Sequence, residues 1–251
     1  MDDMELRLLI DLHRSNFRQG PGGEAETDRA IQLAGLRGLR NLKIADIGCG
    51  TGASTIQLAR ALNAEISAVD FLPEFLEELQ ARAVDCGVSD RISPIACSMD
   101  SLPFANEEMD VIWSEGAIYN MGFEAGVSAW RKVLKPGGKL VISEITWLTA
   151  ERPAELQSYW ERVYPEIDVA SEKIAVLERL GFRPVGYFIL PETCWVDNYY
   201  QPLQNGFDTF LHRHRENSQA GHIIERELAE IALYKKFRQF FSYGFYVAEK
   251  V

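Results

Sequence analysis

The stretch Ile44-Ala-Asp-Ile-Gly-Cys-Gly-Thr-Gly-Ala-Ser-Thr55 sets Gly48, Gly50 and Gly52 at alternate positions, directly after a short apolar run that contains Asp46. A turn without side chains between a strand and a helix lets a ligand approach the backbone, and the amides of the helix N-terminus offer it partial positive charge. The same turn in a ligand-free chain would only pack helix on strand. Gly48-x-Gly50-x-x-Ala53 also fits the fingerprint of dinucleotide-binding turns, so the glycines alone do not choose a ligand.

Around this turn, apolar segments of strand length recur at 42–47, 65–70, 92–96, 109–113 and 139–145, separated by helix-like stretches at 53–62, 73–86 and 123–134. Strands alternating with helices predict a parallel sheet with right-handed crossovers, covered on both faces. Two more strand candidates, 184–190 and 243–249, bring the expected sheet to seven strands, the last antiparallel at or near the edge. The expectation is an α/β, doubly wound, Rossmann-like sheet with a helical cap. One domain spans 1–251, divided into an N-terminal helical lid at 1–40 with a helix from Thr27 to Leu39, a ligand-binding core at 41–145, a cap insertion at 146–172, and at 173–251 the rest of the sheet with a helical insertion. The aromatic-rich segment Thr146 to Asp168 follows the fifth strand and so emerges over the carboxyl ends of the strands, where open α/β sheets bind ligands.

The composition excludes several classes. A net charge of −11 repels phosphate backbones, and the one dense basic run, Lys235-Lys236-Phe237-Arg238, reads as a solvated helix face, so nucleic acid is not expected as a partner. The N-terminus lacks the basic and continuous apolar regions of a signal peptide, and no apolar run approaches the roughly 20 residues of a membrane span. Cys49, Cys86, Cys97 and Cys194 have neither metal nor redox spacing, which fits reduced thiols in the cytoplasm. His212-x-His214 points to two faces of a helix, so no metal site is expected.

Four features bear on the ligand. Asp70 ends the second strand, where a carboxylate can accept both hydroxyls of a ribose; an acid there suits NAD equally well. Asp46 lies within the turn, where it can hold the loop and meet an ammonium group, which NAD lacks. Ser98-Met-Asp-Ser-Leu-Pro-Phe104 follows the third strand with amides and an acid suited to an adenine edge. Leu134-Lys-Pro-Gly-Gly138 turns into the strand bearing Ser143 and Glu144.

In this order, the four features resemble the class I S-adenosylmethionine-dependent methyltransferases, nearest the group similar to the C-methyltransferases of ubiquinone and menaquinone biosynthesis. The resemblance is strong over 40–145, and Gln19-Gly-Pro-Gly22 and Trp113-Ser-Glu-Gly-Ala-Ile-Tyr-Asn120 extend it to uncharacterised bacterial members. It implies S-adenosylmethionine as cofactor, with its methionine end at Asp46, Gly48, Gly50 and Gly52, its ribose at Asp70, and its adenine beside Phe71, Ser98 and Met99. Cys49, Asp100 and Ser114 complete the implied cofactor set. Many relatives carry an acid where Ser98 stands, so either its hydroxyl or Asp100 accepts from the adenine amino group. Gln19 and Gly20 either close over the cofactor or belong to a flexible loop.

A sulfonium already activates the methyl group, so the protein must chiefly align a nucleophile and exclude water. Glu115 after the fourth strand and Glu144 near the end of the fifth are the substrate-facing candidates, with Tyr119. Around them Trp113, Trp147, Tyr159, Trp160, Trp195, Tyr199 and Tyr200 supply aromatics. Carboxylates with aromatic faces suit a small cationic amine as methyl acceptor; the bland alternative is core packing for the rings and structural hydrogen bonds for the acids. A quinone-like or other neutral acceptor, or a module that binds S-adenosylmethionine without catalysis, are the competing readings. An NAD oxidoreductase is disfavoured by the lack of a catalytic Tyr-x-x-x-Lys pair beside the sheet. The oligomeric state is left open to a homodimer.

Overall fold

A computed structural model describes residues 2–251. The chain opens with α1 (Asp3–His13), capped by the Asp2 carboxylate accepting from the Glu5 amide at 2.7 Å, and α2 (Glu24–Leu33). The helix expected at Thr27–Leu39 thus begins and ends earlier, because Gly35 adopts φ +68° and stops it. Alternation follows: β1 (Leu42–Ile47), α3 (Ala53–Ala61), β2 (Ala64–Asp70), α4 (Pro73–Asp85), β3 (Ile92–Ala96), β4 (Met109–Glu115), α5 (Phe123–Arg131) and β5 (Leu134–Trp147). Beyond β5 come α6 (Ala154–Val163), a two-residue β6 (Asp168–Val169), α7 (Ala170–Arg179) and β7 (Phe182–Ile189). Then α8 (Glu192–Trp195) runs through a π-helical turn at Val196–Tyr200 into α9 (Gln201–Asn205), α10 (Phe207–Arg213), α11 (Ser218–Phe237) and β8 (Phe241–Lys250).

The strands order as β3-β2-β1-β4-β5-β8-β7, with β6 paired to the far end of β5. The first five are parallel; β8 runs antiparallel between β5 and β7, one strand in from the edge. β5 extends past the expected 139–145 to Trp147 because β8 pairs along it from Lys139↔Glu249 to Trp147↔Phe241.

The pleat sorts the side chains. Ile44, Val111, Trp113, Val141 and Ile145 point into one core, shared with α1–α3 and the α8–α11 segment. Ala45, Ile47, Ile112, Leu140 and Ile142 point into the other, shared with α5 and α7. The cap expected at 146–172 supplies α6, and residues 192–237 add a second, larger cover that packs on the first core. A Tyr-x-x-x-Lys spacing does occur, Tyr246 to Lys250, but inside β8. There the Tyr246 hydroxyl bonds Thr146 and the Lys250 ammonium donates to the Leu134 carbonyl, so both are core fastenings.

Candidate functional site

At the carboxyl ends of β1, β2 and β4, where the strand order reverses, lies a cleft of about 590 Å³. Gly48, Cys49 and Gly50 form its floor, Asp70, Phe71 and Phe75 one wall, and Ser98, Met99 and Asp100 another. Gly50 sits at φ +55°, and a Cβ there would lie 2.4 Å from Gln19 Oε1, so the loop is bare where another chain segment crosses it. Each oxygen of Asp70 accepts one amide, from Gly50 at 2.8 Å and from Leu72 at 2.9 Å, leaving each with capacity for a ligand donor. Burial pushes the Asp70 carboxyl above the ordinary range, while the amides of Leu72 and Gly50 oppose that shift. Phe71 is 67% exposed at the cleft rim, free to stack on a flat ring. Trp130 Nε1 donates to the Met99 carbonyl at 2.9 Å and fixes the wall that carries Ser98.

Three residues of the expected cofactor set lie off the cleft lining. Asp46 is fully buried beneath the turn; its Oδ2 accepts from Ser54 Oγ at 2.8 Å and Thr55 Oγ1 at 2.6 Å, while Oδ1 has no protein partner. Burial raises its carboxyl to about 7 against those two hydroxyls. Gly52, at φ +90°, faces α4: a Cβ there would lie 2.6 Å from Leu79 Cγ, so its bareness serves helix packing. Ser114 belongs to the opposite side of the pleat, where its hydroxyl donates to the Ile47 carbonyl at 2.8 Å and ties β4 to β1.

Residues 14–23 strap across the cleft. Gln19 Oε1 accepts the Thr51 amide at 2.9 Å and Gln19 Nε2 donates to Thr51 Oγ1 at 3.0 Å, directly over the glycine loop. Arg82 of α4 donates to Thr51 Oγ1 at 2.7 Å and to the Asn16 carbonyl at 3.1 Å, locking strap to loop from the other side. The next strap residue, Arg18, forms a buried ion pair with Glu115, Nη1 to Oε2 at 2.8 Å, each side chain 7% exposed. Glu115 Oε1 accepts from Thr27 Oγ1 at 2.7 Å and Trp113 Nε1 at 3.0 Å. Glu115 therefore lines the cleft with its charge already paired.

Glu144 takes the other side of the pleat from Ile145, and Ile145, not Glu144, lines the second cavity described next. It pairs with the buried Lys173 at 3.4 Å, whose ammonium also donates to the Glu166 carbonyl at 2.7 Å and lies 4.5 Å from the Phe123 ring centre. Burial raises the Glu144 carboxyl to about 7, with Lys173 pulling it down. A one-residue step along the strand thus takes Glu144 out of the substrate-facing role expected of it.

A second cavity, of about 210 Å³, adjoins the cleft and shares Gln19, Gly20, Pro21, Gly116 and Tyr119 with it. Its walls come from α6, the π-helical turn, α11 and β8. Of the aromatics singled out in the sequence, Tyr119, Tyr159, Trp160, Trp195, Tyr199 and Tyr200 line it. Trp113 and Trp147 instead fill the core, Trp147 edge-on to Trp160 and Phe241. The wider π turn brings the consecutive Tyr199 and Tyr200 onto the cavity side together. Sequence reasoning missed Tyr164, Glu230, Phe241 and Tyr243, as well as Arg18 and Thr27 beside the cleft. A signal existed for Glu230: it interrupts the apolar helical face Ile223, Ile224, Ile231, Tyr234.

The residues present fit S-adenosylmethionine: a bare loop, a carboxylate with open acceptor capacity at the end of β2, and an exposed aromatic beside it. A methyltransferase-domain family profile matches residues 44–138. The chain is 30% identical over 142 residues to the 27-O-demethylrifamycin SV methyltransferase of Amycolatopsis mediterranei, covering 56% of this chain and 52% of that protein. It is 30% identical over 119 residues to a ubiquinone/menaquinone biosynthesis C-methyltransferase of Azotobacter vinelandii, covering 46% of each. The chain thus spans about half the length of these curated relatives. A crystal structure of a methyltransferase from Geobacter sulfurreducens with S-adenosyl-L-homocysteine superposes with a TM-score of 0.84 at 18% identity over 98% of each chain. Residues 44–138 thus match a methyltransferase domain, and the chain as a whole has the fold of the class I S-adenosylmethionine-dependent methyltransferases. Among the described residues no helix is long and apolar enough to cross a membrane.

Proposed function

We propose that the chain transfers a methyl group from S-adenosylmethionine in the larger cleft to a small-molecule acceptor in the smaller cavity, a cationic amine being the preferred class. The observation that carries this reading is the pair of adjoining chambers meeting at Gly116 and Tyr119 beneath the Gln19 strap. Bound S-adenosylmethionine supplies an electrophilic methyl whose bond to sulfur breaks with its electron pair remaining on sulfur. The protein's part is placement: Asp70 and Phe71 hold the nucleoside end, Asp46 stiffens the turn from below, and the strap and aromatic walls keep water from the junction. An acceptor that arrives protonated must lose its proton before its lone pair attacks.

The amine reading does not rest on Glu115 or Glu144, whose charges are committed to Arg18 and Lys173; it rests on the aromatic enclosure. The same rings suit a flat neutral acceptor such as a quinol, which is the second reading. The four free thiols suit the reducing cytoplasm. The test is incubation with methyl-labelled S-adenosylmethionine and a small-metabolite extract, followed by mass analysis. A labelled small product is expected. Tight S-adenosylhomocysteine binding with no labelled product from any extract would reduce the chain to a binding module, and NAD binding in its place would overturn the cofactor assignment.

A further inference from the structure

Among the residues lining the smaller cavity, Glu230 is the only charged one. Six tyrosines surround the space: Tyr119, Tyr159, Tyr164, Tyr199, Tyr200 and Tyr243. The Tyr200 hydroxyl donates to Glu230 Oε1 at 3.1 Å and so orients the carboxylate from α11. The carboxylates that line the larger cleft or were expected to face the acceptor are answered or held: Glu115 by Arg18, Glu144 by Lys173, Asp70 by two amides. Among the described residues, no lysine, arginine or histidine lies within ion-pair distance of Glu230. Its neighbour Glu227 is acidic and adds repulsion, while His13, which faces Glu227 at 3.8 Å, offsets it only from beyond ion-pair distance of Glu230.

Glu230 keeps accessible surface, yet it lines an aromatic cavity with no ion-pair partner, an arrangement that is costly unless something else supplies positive charge. The rings themselves favour the same visitor, because their faces attract cations most strongly where water is excluded. Burial raises the Glu230 carboxyl to about 7, with Glu227 adding to the shift. An entering cation offsets that penalty and favours the ionised form.

We propose that Glu230, oriented by Tyr200 inside the tyrosine enclosure, is the anionic anchor of the acceptor site and selects small organic cations of the substituted-ammonium class. The inference rests on the two-chamber reading above and deepens it by naming the residue that gives the cationic preference. Glu230 holds the cationic part of the acceptor, and the reacting atom lies toward the junction at Gly116 and Tyr119. Glu115 and Glu144 take no part in this recognition.

The test uses choline and its uncharged carbon isostere dimethylbutanol, which match in shape and differ in charge, titrated calorimetrically into the full chain with and without S-adenosylhomocysteine. Choline is expected to bind at least about tenfold more tightly than the isostere, as cation–π attraction and one counter-ion together imply. Glu230→Gln should bring the two affinities to within about threefold, while Tyr200→Phe, which keeps the charge and loses its orientation, should retain part of the preference. Equal affinities in the wild-type chain, which involves no variant and so no question of folding, overturn the anchor. A full choline preference retained by folded Glu230→Gln overturns it as well. Titration of S-adenosylhomocysteine alone reads the underlying assignment separately: if choline is preferred but that nucleoside does not bind, the cation site stands and the methyltransferase reading falls.

Discussion

Replacing Asp70 by alanine gives the sharpest test of the proposed cofactor cleft, because that proposal assigns one carboxylate two tasks there. In the free protein it receives the Gly50 amide at 2.8 Å and the Leu72 amide at 2.9 Å, bracing the glycine loop against the start of α4. In the complex we propose, its remaining acceptor capacity would meet the two ribose hydroxyls. A hydrogen bond to a charged partner contributes about 1.5–3 kcal/mol, so two such bonds set an upper range of about 3–6 kcal/mol for the nucleoside. Water entering the vacated space recovers part of this, and the amides it leaves become accessible to that water. The lower end of the range, about 3 kcal/mol, therefore sets the expectation. At about 1.4 kcal/mol per tenfold, the dissociation constant of S-adenosylhomocysteine should rise by about a hundredfold, and by no less than tenfold. Calorimetric titration measures it, with circular dichroism confirming the fold. Asp70→Asn, which keeps one acceptor oxygen and turns an NH2 toward a former donor, should fall between the two. An Asp70→Ala dissociation constant within twofold of wild type, in folded protein, refutes the placement of the ribose.

Two further outcomes follow from the buried charges. Glu115→Gln keeps an acceptor for Thr27 and Trp113 but leaves the buried Arg18 guanidinium without its counter-charge, so unfolding free energy in urea should fall by about 3 kcal/mol; a change below about 0.5 kcal/mol would show that the pair is not closed in solution. Asp46 titrates at about 7 when folded against an unfolded value of 3.8, so the folded chain binds that proton more tightly. The contribution of this group to stability is complete below the unfolded value and is lost as pH rises toward about 7. Asp46→Asn retains an oxygen for Ser54 and Thr55 and should lessen that decline, read as urea midpoints at about pH 5 and about pH 8; an unchanged decline would refute the assignment.

The sequence by itself determined the frame and where the glycine turn, Asp70 and the Ser98 segment fall within it. Alternating strand and helix patterns dictate a parallel sheet because each βα unit is local, and the glycine turn, Asp70 and the Ser98 segment all sit at strand ends, where chain order alone fixes position. What it could not settle were relations between distant segments. Whether Glu144 or Ile145 faces the acceptor depends on which side of the pleat β5 turns to its neighbours, and a single residue of register exchanges them. The family resemblance implies Gly52 and Ser114 as cofactor residues, while in the structure one packs on Leu79 and the other bonds Ile47, because their partners come from α4 and β1. Glu115 looked like a spare carboxylate only because Arg18, 97 positions away, is invisible to local reading. The acceptor cavity is the extreme case: Tyr119, Tyr164, Tyr200, Glu230 and Tyr243 meet only after β5, α11 and β8 have closed around one another, so its single unpaired charge is a product of tertiary packing and not of any motif.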